Sequence, residues 1–98
     1  MTQVQFDYGE RYRLIAEGHA TGSVEVCAAV STITQSLYGY VYNLQRTGDA
    51  EIVEKSIASG KFSLCAKGDD RLRGAFELAK QGLLQLANSF PEYVAIKK

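Results

Sequence analysis

The chain is short of several things at once: one histidine, one proline, one methionine and two cysteines in 98 residues. One histidine and two cysteines are too few for a zinc site, and no Cys-x-x-Cys pair occurs, so no metal is expected. Two cysteines allow one disulfide at most. Without a secretory signal they are expected as thiols. Met1-Thr2-Gln3-Val4-Gln5 lacks the basic start and apolar run of such a signal, which predicts a cytoplasmic protein. No stretch approaches the roughly 20 apolar residues that span a bilayer, so no membrane partner is expected. An excess of one charge is missing too. Eleven basic residues balance eleven acidic ones, which argues against bulk attraction to nucleic acid or an anionic surface. There is no phosphate-binding glycine loop and no Gly-x-Ser-x-Gly elbow, and no cofactor is implied.

What is present is an ordinary globular composition, 46% apolar, enough for a single domain over residues 1–98 with one core. Val4 and Phe6 alternate with Gln3, Gln5 and Asp7, the pattern of a half-buried strand. Gly9 and Glu10 supply a turn, and Tyr12, Leu14 and Ala16 alternate in a second strand paired back as a hairpin. From Val26 the period changes. Val26, Val30, Ile33, Leu37, Val41 and Leu44 form one apolar stripe on a helix over 26–46, with Ser23 as cap and Gly48 as stop. Strands follow over 50–55 and 61–67, joined at Ser59-Gly60. A second helix over 70–89, opened by Gly68-Asp69-Asp70 and stopped by Pro91, carries the stripe Leu72, Phe76, Ala79, Leu83, Leu86 and Phe90. A short strand over 93–96 closes the chain. The order β-β-α-β-β-α-β predicts an α+β fold, a mixed sheet with two helices packed on one face.

Chemistry concentrates in one stretch, Gly18-His19-Ala20-Thr21-Gly22-Ser23-Val24-Glu25-Val26-Cys27-Ala28-Ala29-Val30-Ser31. The single histidine falls at the end of the second strand. Cys27 follows it by eight positions, at the start of the first helix. A helix N-terminus carries partial positive charge and unsatisfied N–H groups, both of which favour thiolate over thiol. A neighbouring imidazole can take the thiol proton, so the pair has the makings of a nucleophile and its base. The plainer reading is that Cys27, beside Ala28, Ala29 and Val30, is a small packing residue.

The Gly-His-Ala triplet, the glycine-bearing loop and the Val-Cys-Ala-Ala-Val-Ser run resemble the ribosomal-processing cysteine proteases of bacteria, the Prp family. Phe90-Pro91-Glu92-Tyr93-Val94 is similar to that family's closing Tyr-Pro-Glu-Tyr-Ile segment. The resemblance spans nearly the whole chain. It implies His19 as general base, Cys27 as nucleophile and Ser31 as a serine the family also keeps. Gly18 and Gly22 flank the histidine in the motif. The implied substrate is the N-terminal extension of a large-subunit ribosomal protein, bound as an extended peptide, and the implied assembly is a homodimer. Two departures stand out. The loop between histidine and cysteine is shorter than is usual in the family. Val24 also stands where the family usually has an aspartate, with Glu25 one residue later as the available carboxylate.

The resulting expectation is a cysteine endopeptidase with a Cys27–His19 dyad. Backbone N–H groups at the helix start would hold the oxyanion. The alternatives are a non-catalytic protein-binding module and a phage-type relative acting on a different protein. Tyr38 and Tyr42 share a helix face and suit either rim packing or a dimer surface. Gly74 and Gly82 weaken the second helix by about 1 kcal/mol each unless close packing requires them. Cys65, with no helix end or base beside it, is expected to be an inert thiol.

Overall fold

The computed structural model describes residues 1–18 and 23–97. The elements run β1 (Thr2–Tyr8), β2 (Tyr12–Glu17), α1 (Val24–Arg46), β3 (Ala50–Ala58), β4 (Lys61–Gly68), α2 (Asp70–Ser89) and β5 (Val94–Lys97). The strands form one mixed sheet in the order β3-β4-β2-β1-β5. β5 pairs parallel to β1, while β1–β2, β2–β4 and β3–β4 are antiparallel. Val4, Leu14, Ala16, Phe62, Leu64 and Ala66 alternate along their strands and so share one sheet face. They join Val26, Leu37, Val41, Leu72, Phe76 and Leu83 in a single buried cluster. Both helices therefore cover the same face, as the element order predicts. Complete burial of Leu14, Leu64, Leu72, Phe76 and Leu83 contributes about 1.5–3 kcal/mol per side chain.

Local chemistry sets the helix ends. The Ser23 side chain accepts from the Val26 N–H at 3.2 Å, capping α1. Asp69 Oδ1 accepts from the Arg71 N–H at 2.9 Å, capping α2. Gly48 adopts φ +82° just past the end of α1, a conformation that favours glycine.

Several expectations shift. α1 begins at Val24, two residues early, because the first turn needs a cap rather than an apolar side chain, and Val24 is exposed. β5 starts at Val94, one residue late. β3 runs three residues past 55, to Ala58. A bulge between Ile52 and Glu54 resets its alternation, so Ile52 opposes Ala66 whereas Lys55 and Ile57 oppose Leu64 and Phe62. In α1 the buried position is Thr34 rather than Ile33. The Thr34 hydroxyl donates to the carbonyls of Val30 and Ser31. Ile33 turns toward α2, where a Cβ on Gly82 would lie 3.1 Å from its Cδ1. Gly82 thus permits the helices to approach; Gly74 has open space beside it. Phe90 falls beyond the end of α2 as its C-cap and is exposed.

Cys65 lies on the sheet face away from the helices, 2% exposed. Arg13, its register partner on β2, hydrogen-bonds its side chain, which raises the guanidinium pKa further. Tyr38 and Tyr42 stack at 6.2 Å, and Tyr38 accepts a hydrogen bond from Lys55 at 2.7 Å. That contact pins part of the tyrosine cluster to β3. Among the described residues no helix is long and apolar enough to cross a membrane, and no group of three or more acidic, histidine or cysteine side chains is placed to hold a metal.

Candidate functional site

An apolar groove of about 690 Å³ between α1 and α2 is lined by no cysteine. The thiol lies elsewhere. Cys27 lines a smaller cleft of about 210 Å³ where α1 begins above the ends of β2, β3 and β4. One wall is helical. Cys27, Ser31 and Gln35 recur every four residues and so share a face of α1. The facing wall is the tip of the β3–β4 hairpin, Ile57 through Lys61. Ala16, Val30 and Phe62, all buried, also line it.

Cys27 closes the first turn of α1. Its N–H makes the first intrahelical bond, to the Ser23 carbonyl at 3.2 Å. Since Ser23 Oγ takes the Val26 N–H, the donors at the helix start that precede these bonds belong to Val24 and Glu25. The thiol is partly accessible, beside the apolar stripe rather than within it.

Gly18 lies at the end of β2 in the same cleft. Its φ is +94°, and a Cβ there would collide with the Met1 carbonyl oxygen. Two hydrogen bonds hold it. Its N–H donates to the Gly60 carbonyl at 2.8 Å, and its own carbonyl accepts from the Thr2 hydroxyl at 3.3 Å. The backbone therefore leaves the cleft wall toward residue 19 from a fixed point. His19 and Gly22 lie outside the described residues.

Ser31 is in the cleft, one turn after Cys27. Glu25 is exposed in the first turn of α1 and does not line the cleft. Two residues along a helix turn a side chain by about 200°, which directs Glu25 away from the Cys27 side. Among the described residues Lys61 is the charged one in the lining, with Glu17 opposite it in the ladder. No disulfide links Cys27 to Cys65.

Thr2, Thr34, Gln35, Ile57 and Gly60 line the cleft without having been singled out from the sequence. Gln35 was within reach, since it continues the four-residue spacing of Cys27 and Ser31. Thr2 and the hairpin tip are brought in by sheet pairing, which leaves no mark near the cysteine in sequence.

The whole fold is similar to solved structures. Over 99% of this chain and 98% of the other it superposes on S. aureus ribosomal processing protease Prp bound to a covalently linked product peptide, with TM-score 0.78 and 17% identity. The same protease with a substrate peptide matches with TM-score 0.68 and 14% identity, over 99% and 98% of the two chains. SMU.848 from Streptococcus mutans matches with TM-score 0.70 and 26% identity, over 99% and 92%. No curated protein matches the sequence. The family model described as cysteine protease Prp, by contrast, matches residues 1–95. With nearly its full length matched, this chain belongs to the Prp cysteine protease family.

Proposed function

We propose that the protein is a cytoplasmic cysteine endopeptidase that removes the N-terminal extension of a large-subunit ribosomal protein with a Cys27–His19 dyad. One observation carries the reading: Cys27 and Gly18, the residue that delivers the chain to His19, line the same cleft. The Cys27 Sγ attacks the scissile carbonyl carbon. His19 takes the thiol proton and gives it to the leaving amine as the C–N bond breaks. Water then adds to the thioester and gives up one proton to His19, and the C–S bond breaks to return the thiolate. The N–H groups of Val24 and Glu25, at the positive end of α1, hold the oxyanion. Ser31 borders the reacting thiol. No cofactor takes part.

The protein acts as a homodimer. The apolar groove between α1 and α2 is the face a second copy covers. Leu78 and Tyr40 stand there 76% and 45% exposed.

The test is cleavage of peptides that copy the ribosomal protein extension and the products of neighbouring genes. Cys27→Ser and His19→Ala abolish cleavage while folding persists, and Cys65→Ser retains it. Equal cleavage by Cys27→Ser would remove the thiol from the mechanism. Tight binding without cleavage by the wild type would instead make this a protein-binding module.

A further inference from the structure

β3 is an edge strand. β4 lies on one side of it, and among the described residues no strand lies on the other. It is nine residues long and exposed without interruption from Val53 to Ala58. A long exposed edge is a template for one more strand, and proteins usually blunt such edges. Among the described residues the covered part is the beginning, where the Ile52 N–H donates to Gln45 Oε1 of α1 at 2.7 Å. The bulge at Ile52/Glu54 separates that covered beginning from the rest. At its other end the same strand runs into the thiol cleft, since Ile57 and Ala58 form part of the wall facing Cys27, Ser31 and Gln35. Ile57 is 40% exposed there. An uncovered strand edge thus leads directly to the nucleophile.

We infer that the polypeptide substrate docks as an additional β-strand on the outer edge of β3 over residues 54–58, and that this pairing delivers the scissile bond to Cys27. The inference rests on the endopeptidase reading above for the identity of the bound chain. Main-chain hydrogen bonds supply the affinity in this mode of recognition, so the partner is an extended segment with free backbone N–H groups. Five paired residues span about 17 Å, and a substrate needs roughly that length on one side of the cleaved bond.

Backbone N-methylation of the peptide panel tests this, with binding measured on full-length Cys27→Ser by fluorescence anisotropy. N-methyl groups at alternate residues on one side of the cleavage point should weaken binding about tenfold or more, and those at intervening residues should leave it unchanged, because strand pairing uses every second N–H. Hydrogen exchange on the same complex should show new protection within 54–58 of β3 and none in β5, the other edge. Loss of the two-residue period, protection elsewhere, or failure of every peptide to bind overturns the edge assignment. Periodic binding with protection of β3, but no cleavage by the wild type, supports the edge assignment and overturns the endopeptidase reading alone.

Discussion

The Gly18 amide donates to the Gly60 carbonyl at 2.8 Å, tying the end of β2 to the β3–β4 turn at the wall of the thiol cleft. Gly60 itself has φ +74°. The bond holds in place the point from which the chain leaves for His19. Gly18→Ala combines a left-handed φ with a collision at the Met1 carbonyl. It should lower stability by about 1–3 kcal/mol and reduce cleavage. Gly74→Ala, a helical site with nothing near its Cβ, should raise stability by about 1 kcal/mol. Thermal melts of the two variants should move in opposite directions, by about 4–8 °C per kcal/mol in a domain of this size.

The two thiols should separate by reactivity. Cys27 is partly accessible at the first turn of α1, whereas Cys65 is 2% exposed and covered by Arg13. Iodoacetamide near pH 7 should modify Cys27 first, as read by peptide mass mapping. Faster modification of Cys65 in the folded protein would count against Cys27 as the nucleophile.

Acid stability should depend on the turn between α1 and β3 and on the α2 cap. Arg71 bridges Asp49 at 2.8 Å and Asp69 at 2.9 Å, and the Thr47 hydroxyl donates to Asp49. The Thr47 bond, followed by Arg71, holds the Asp49 carboxyl below its ordinary 3.8, and Arg71 does the same for Asp69. A depressed carboxyl stabilises the fold above its unfolded pKa and ceases to do so as pH falls through the folded value. Melting temperature should therefore decline as pH drops below about 4, and Asp69→Asn should flatten that decline. Because these groups are exposed, added salt should weaken the effect.

Leu78→Glu should convert a dimer to monomer in analytical ultracentrifugation without lowering secondary structure, because Leu78 is 76% exposed and belongs to no intrachain core. An unchanged sedimentation coefficient, with the wild type dimeric, would place the dimer contact on another face.

The sequence alone determined the element order, the two switches from alternation to helical period near Val26 and Asp70, both helix caps and a start for α1 that leaves Cys27 in its first turn. These features depend on contacts within a few residues: side-chain periodicity, a serine or aspartate capping an N–H, a glycine at positive φ. Tertiary structure decided the rest. The bulge that turns Lys55 and Ile57 toward the helices follows from pairing with β4. Burial of Thr34 in place of Ile33 follows from a helix that must pack on a sheet and on α2 together. The cleft is made by residues from Thr2 to Phe62 that meet only when β1, β2 and the β3–β4 hairpin lie side by side beneath α1. Hydrogen bonds between strands distant in sequence carry no local periodicity, and so the place of the Cys27 thiol at the helix start was legible in the chain while the walls of its cleft were not.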